Sequence, residues 1–252
     1  YISEDTYKKV YDAMAELNYQ PNQLARSLSK QKPNFIGLLV PDVSHPFFAE
    51  LKHLLEISLF NHGYKLILCN TQRNDMREQS YLDMLRQNKV DGAIVATHYL
   101  QTSDYKDLSL PLVAMDVFLD ESIPSVHSNH IRGGKLAARP FIDGNAHCVL
   151  QIRGDSDIKS PAWMRHSVFA DELLEHNIKC IDYELKADEF DISSYCKIIQ
   201  KQLDIHPEID GVFSTDIIVS YAIKYILEKG KKIPEDYIVV GYDGVDICNY
   251  VY

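Results

Sequence analysis

Behind nearly every short β-rich run of this chain stands a hydroxyl, amide or charged residue. They are Asp42-Val43-Ser44-His45, Asn70-Thr71, Thr97-His98, Asp116, Asn129-His130, Arg153-Gly154-Asp155, Thr215-Asp216 and Asp243. Such groups, gathered in one place, hydrogen-bond polyols. Taken singly, Asp and Asn at these positions are also ordinary turn and N-cap residues. Covalent chemistry is not specified. There is no glycine-rich phosphate loop, no GxSxG elbow and no HExxH pair, and the histidines and acids are scattered. The five cysteines (Cys69, Cys148, Cys180, Cys196, Cys248) include no CxxC pair, which argues against a zinc ribbon or disulfide framework and for small buried residues in a reducing compartment. Neither an enzyme, nor a metal, nor a cofactor is expected.

The elements that would position these groups alternate. Phe35–Val40 has strand length, and Phe48, Leu51, Leu54, Leu55 and Leu59 then recur at helical spacing until His62-Gly63. The cycle continues with strand Lys65–Cys69, helix Met76–Asn88 and strand Gly92–Ala96. A longer loop leads to strand Leu112–Met115, the extended Ser125–Ser128 and a helix from Gly133. The second half reads strand Cys148–Ile152, helix Ala162–His176, strand Cys180–Leu185, helix Ser193–Leu203, strand Gly211–Ser214, helix Ile217–Lys229 and strand Tyr237–Tyr242. This alternation predicts an α/β fold of two doubly wound parallel-sheet lobes, 35–143 and 144–252. Ligands of open α/β sheets sit beyond the carboxyl ends of the strands. Two such lobes facing one another would enclose a cleft between the polar residues above.

The 252 residues, 46% hydrophobic and 25% charged, are globular in composition and exclude a disordered or fibrous chain. No apolar run approaches the ~20 residues of a bilayer span, and the basic-then-apolar layout of a signal peptide is missing, so a cytoplasmic location is expected. The net charge of −10 is uneven. Residues 1–34 carry five cations against Glu4, Asp5, Asp12 and Glu16, a net of +1, which leaves −11 for the rest. Between Glu16 and Asp42 only Arg26, Lys30 and Lys32 are charged. A basic neck on an acidic body is either a phosphate-meeting end or a solvated linker.

That neck stands outside the alternation. Ser3–Asn18 reads as an amphipathic helix with Ser3 as N-cap and Val10, Met14 and Leu17 as its apolar face. Pro21-Asn22 follows, and Gln23–Ser29 is a helix-forming run too short to be stable alone.

Five stretches, in order, resemble the LacI/GalR family of bacterial transcription regulators: Val10–Asn22 (VYDAMAELNYQPN), Leu24–Leu28 (LARSL), Ile36–Glu50 (IGLLVPDVSHPFFAE), Val90–Val95 (VDGAIV) and Val239–Gly244 (VVGYDG). The resemblance spans essentially the whole chain. It implies a helix-turn-helix head, a hinge helix, a two-lobed core like the periplasmic sugar-binding proteins, and a homodimer. It further implies that the family's first two helices would lie before Tyr1 and that a further crossover and helix would follow Gly244, so the chain is expected to be a fragment, with 1–34 the remnant of the head plus the hinge.

Residue by residue, the resemblance implies operator contacts by Asn22, Ala25, Arg26 and Leu28, with Leu28 as an apolar minor-groove wedge. Wedges unstack a base step and kink the duplex. A hinge this short folds only when two copies pair on DNA, which makes it a natural switch. In the core, the resemblance implies effector contacts at one of Phe47 and Phe48 and at Asn129, Arg165, Asp216 and Asp243, and the residue types themselves add Ser44 behind its strand and the lone Trp163 as candidates. Phe47 falls off the buried stripe and is the better stacking candidate, whereas Phe48 reads as core. Arg165 lies in RHSVF, similar to the family's R-x-x-G-F/W, and a planar guanidinium suits vicinal oxygens. Trp163 is either a sugar-stacking platform or a helix cap. Asp216 and Asp243 match the family's N-D and GYDD segments, although Thr215 replaces the asparagine. Asn129 opens N-H-I-R-G-G, where the family has D-N-x-x-G-G. These features predict a DNA-binding repressor of a carbohydrate operon, controlled by a sugar-like effector between its lobes. A disaccharide, a pentose and a sugar phosphate all remain open. The rival readings are a transport sugar-binding protein, which would lack the LARSL neck, and an α/β enzyme.

Overall fold

The computed structural model describes residues 3–17, 33–97, 99–106, 108–154, 160–186 and 189–249. The neck candidates Asn22, Ala25, Arg26 and Leu28, and the strand-end residues His98 and Asp155, lie outside them.

The first sheet is all parallel, with strands β1 (Phe35–Val40), β2 (Lys65–Asn70), β3 (Gly92–Val95), β4 (Leu112–Met115) and β5 (Ser125–Val126) in the order β2-β1-β3-β4-β5. β1 is an interior strand, and its Leu38, Leu39 and Val40 are fully buried. A strand buried on both faces reads as a continuous apolar run rather than an alternating one. Helices α2 (Pro46–Asn61) and α3 (Asp75–Gln87) form its crossovers, and a short α4 (Thr102–Lys106) lies in what the sequence reads as loop. Five residues carry too little periodicity to be legible.

The second sheet, also parallel, runs β7-β6-β8-β9 with β6 (Cys148–Arg153), β7 (Lys179–Glu184), β8 (Gly211–Ser214) and β9 (Ile238–Gly241). Helices α5 (His130–Asp143), α6 (Trp163–Glu175), α7 (Ile192–Ile205) and α8 (Asp216–Glu228) cover it, and a short 3-10 turn occupies Asp246–Asn249. Phe169 stacks on Phe213 at 4.2 Å and meets Phe141 edge-on at 5.6 Å. Burial of each such ring contributes about 1.5–3 kcal/mol.

Helix α5 belongs to this second unit, although the sequence division at 143 assigns it to the first. Its Ala137, Ala138 and Phe141 share one core cluster with Phe169, Leu173 and Phe213. The chain therefore crosses between sheets after β5 and before α5. The reason lies in a close helix pair: a Cβ at Gly134 would stand 2.5 Å from the Arg165 carbonyl oxygen, so only glycine lets α5 approach α6 this closely. The helix also starts earlier than the expected Gly133, because the Asn129 side chain accepts the Arg132 amide and caps it there.

One apolar face predicted to be buried, that of helix α1 (Glu4–Glu16), is open, and α2 carries a second apolar face beside the expected Phe48–Leu51–Leu55 stripe. Helix α1 is capped by Ser3, but none of its residues is buried, and Val10 and Leu17 are exposed. In α2 no residue is fully buried; Leu54, Ile57 and Phe60 are exposed in a stripe spaced by three, with exposed Leu68 on the adjacent edge strand β2. The helix is apolar on two sides, and the sheet needs only one. Among the described residues no helix is long and apolar enough to cross a membrane.

Candidate functional site

Strand β4 is followed by Asp116, whose backbone takes φ +55°, a left-handed conformation that Asp tolerates better than most residues. This turn points the carboxylate at His130 on the first turn of α5, with Oδ1 2.6 Å from Nε2. The other ring nitrogen of His130 lies 3.4 Å from the Tyr242 hydroxyl, just past β9. The guanidinium of Arg165, on the first turn of α6, lies over the Tyr242 ring at 4.1 Å from its centroid. One sheet's strand end and the other's are thus linked across the gap between them. The Ser160 hydroxyl donates to the Asp116 carbonyl oxygen at 2.7 Å and adds a second link.

These groups line a cleft of about 320 Å³, with Phe47, Phe48 and His45 on the side of the first sheet and Trp163, Arg165 and Asp243 on the side of the second. That is the low end of the size usual for small-molecule sites. Phe47 and Phe48 meet edge-on at 5.2 Å, and Phe48 also packs against the cluster of Leu38 and Val40. Both sequence roles for Phe48, core and cleft wall, apply to one ring. The Nδ1 of His45, a residue of the cleft wall, is buried and has no hydrogen-bond partner among the described residues.

Arg73, in the turn after β2, reaches the Asp42 carboxylate at 3.5 Å and lies over the Phe190 ring, which follows β7, at 4.9 Å. Asp42 is resisted by burial, but the Ser44 hydroxyl and amide and Arg73 outweigh that and hold its carboxyl below the usual range. On the other side, Arg165 Nε donates to His166 Nε2 at 3.3 Å, so the proton of His166 stands on Nδ1, which faces Gln151 Oε1 at 3.2 Å. Burial, followed by the charges of Arg165 and Arg153, drives His166 down to about 3 and keeps the ring neutral. Burial likewise pushes Asp243 up to about 6, against the pull of Arg165.

Of the sequence candidates, Phe47, Phe48, Trp163, Arg165 and Asp243 come together here. Three others are turned to different work. Ser44 is exposed and bonds Asp42 Oδ1 through its hydroxyl at 2.7 Å. Asn129 is exposed and caps α5. Asp216 is buried, and its Oδ2 accepts the Val245 amide at 2.8 Å, which braces the turn carrying Tyr242 and Asp243. The sequence reading passed over Arg73, His166, Phe190 and Tyr242. His166 continues the inward spacing of Phe169 and Leu173, and Tyr242 adjoins Asp243, so these two carried a signal; Arg73 and Phe190 lie in turns without periodicity. No group of three or more His, Cys, Asp or Glu able to hold a metal occurs among the described residues.

Two parallel α/β sheets, crossed by the chain and facing each other over an aromatic and polar cleft, define a small-ligand binding protein of the periplasmic-binding type. The chain belongs to the LacI/GalR family: residues 34–248 match the profile of periplasmic binding proteins and sugar binding domain of LacI family. It is 36% identical to the ribose operon repressor of Halalkalibacterium halodurans, over 99% of this chain and 74% of that protein. It is 37% identical to the sucrose operon repressor of Streptococcus mutans, over 100% of this chain and 77% of that protein. A LacI family transcriptional regulator from Enterococcus faecium, solved with bound ribose, superposes with a TM-score of 0.73 at 28% identity, covering 86% of this chain and 80% of that one. These relatives are named as operon repressors or transcriptional regulators.

Proposed function

We propose that this chain is the sensing part of a cytoplasmic transcriptional repressor of a carbohydrate operon, and that a saccharide in the cleft controls its grip on operator DNA. The observation that carries this is the meeting of Arg165, Tyr242 and Asp243 from one lobe with Phe47 and Asp116 from the other. A forked cation, carboxylates and aromatic faces are the groups that bind vicinal hydroxyls and sugar C–H surfaces. The ribose and sucrose operon repressors similar to this chain support the sugar class.

The Arg73–Phe190 and Ser160–Asp116 contacts span the cleft, so occupancy that spreads or tightens the lobes acts on them directly. In this reading, residues 1–34 belong to the DNA-binding head and its hinge, and Leu28, preceded by Asn22, Ala25 and Arg26, is the wedge. The exposed stripe Leu54, Ile57 and Phe60 supports a homodimer through α2, since an uncovered apolar face on a water-exposed helix favours a second copy. Lobe movement would then change the spacing of two hinges, a coupling of about 1–3 kcal/mol.

The test is operator binding by the intact protein, at fixed salt, with and without ribose, fructose, glucose and sucrose. A change in operator affinity of roughly 5- to 150-fold with at least one sugar is expected. Operator affinity indifferent to every saccharide would reject the reading. Leu28→Ala in the same assay is expected to weaken operator binding without changing sugar binding.

A further inference from the structure

The cleft is lined by three arginines, and carboxylates already hold two of them. The stronger arrangement is at Arg153, the last residue of β6. Its Nε donates to both oxygens of Asp182, at 2.8 and 3.1 Å, and its Nη2 lies 2.7 Å from Glu184 Oε2. Nη1 points to the Gly154 carbonyl oxygen at 3.4 Å, and the guanidinium lies 5.4 Å from the centre of the Trp163 ring. A hydrogen-bond chain continues inward: Gln151 Nε2 donates to Asp182 at 3.1 Å, Gln151 Oε1 faces His166, and His166 receives Arg165.

We infer that Asp182 and Glu184 are specificity-determining residues which, by occupying Arg153, restrict the cleft to uncharged saccharides and shut out their phosphate esters. This inference rests on the saccharide reading proposed above. Both acids stand on β7, the edge of the second sheet, with side chains 39% and 36% exposed, so neither fills a core position. The main consequence of placing two carboxylates there is that the charge and donors of Arg153 are already taken up. Arg153 itself is only 12% exposed. A phosphate would have to displace a carboxylate from this largely desolvated guanidinium, and the released acid would remain beside the incoming anion. Arg73 is similarly engaged by Asp42. Arg165 has no carboxylate ion pair among those found in the described residues, but the acids Asp116 and Asp243 line the same cleft and would repel a dianion. A neutral sugar meets none of these costs, because it needs only donors and acceptors. Exclusion by misplaced like charge is a general route to selectivity.

The test is calorimetry at pH 7.5 with ribose, fructose, glucose and sucrose, each beside its phosphate ester. At least one neutral sugar is expected to bind, with its ester weaker by about tenfold or more. Asp182→Asn combined with Glu184→Gln is expected to shrink that preference by about tenfold or to reverse it. An ester that binds the unaltered protein as tightly as its parent sugar overturns the inference and leaves the saccharide reading intact. A folded double variant that keeps the original preference overturns the assignment to Asp182 and Glu184. Should the double variant not fold, Glu184→Gln alone is held to the same criterion. Silence from all sugars and all esters overturns the saccharide reading, and the inference with it.

Discussion

The guanidinium carbon of Arg165 lies 4.1 Å from the centroid of the Tyr242 ring, so a cation from the start of α6 and an aromatic face from the end of β9 form one wall of the cleft. Cation–π contact of this kind is worth roughly 0.5–2 kcal/mol, and it pre-orients the fork before any ligand arrives. Arg165→Ala removes both the fork and its orientation. Effector affinity is expected to fall by about a hundredfold, in line with the ~1.5–3 kcal/mol of a hydrogen bond to a charged group, while the thermal midpoint changes little. Calorimetry on the variant with the ligand of the unaltered protein decides it, and equal affinity removes Arg165 from the site.

Two adjacent glycines in α5 are expected to behave differently. A Cβ at Gly133 would overlap the Tyr242 hydroxyl, the movable end of a side chain. At Gly134 it would press on the Arg165 backbone, which cannot yield without parting α5 from α6. Gly134→Ala is therefore expected to destabilise the fold by about 1–3 kcal/mol in urea unfolding. Gly133→Ala should instead displace the Tyr242 ring and weaken effector binding at a smaller cost in stability. The reverse order of effects would show that the helix pair is not the constraint.

Asp243 links stability to pH with a definite sign. Burial raises its folded pKa to about 6 from 3.8, so the folded state holds the proton more tightly than the unfolded chain. The stability this contributes is complete below 3.8 and is lost as pH rises through about 6. Asp243→Asn is accordingly expected to raise the melting temperature of the unliganded protein at pH 8, by an amount that shrinks at pH 5. The same substitution should weaken effector binding at pH 8, since a charged acceptor is replaced by a neutral one. A variant that melts below the unaltered protein at pH 8 would contradict the burial cost.

His166 acts in the opposite direction. Its folded pKa, lowered to about 3, keeps it neutral where an unfolded histidine with a value near 6.5 takes a proton. The stability it contributes is present above 6.5 and is lost as pH falls toward 3. Replacing it with Gln, which can donate and accept in the same chain, is expected to flatten the acid limb of the stability curve. An unchanged acid limb in thermal melts between pH 7 and pH 5 would reject this.

The α2 stripe carries the oligomer prediction. Phe60 is 75% exposed and lies at the end of the Leu54–Ile57–Phe60 series. Phe60→Glu introduces a charge where two copies would meet, and sedimentation is expected to shift from dimer to monomer with the fold intact. Were the unaltered chain monomeric at tens of micromolar, the proposed use of α2 would fail for this chain.

Most of the architecture was legible in the residues themselves. Continuous apolar runs such as Phe35–Val40 and Cys148–Ile152, separated by stretches of helical spacing, dictate parallel strands with crossover helices, because each run is short-range and its periodicity follows from backbone geometry alone. Polar residues behind the strands pointed to a candidate ligand face, and Phe47, Trp163, Arg165 and Asp243 line one cleft. Which polar residue faces the cleft and which braces a turn depended on the packing. Asp216 and Asp243 look alike in the sequence, yet one holds the Val245 amide and the other lines the cavity. The pairing of His130 with Tyr242, 112 residues apart, exists only once α5 packs beside β9, and that of Arg73 with Phe190 only once the two sheets face each other. Local patterns determined the strands and helices; the site was decided by contacts between distant segments, whose energies depend on distances that no spacing along the chain encodes.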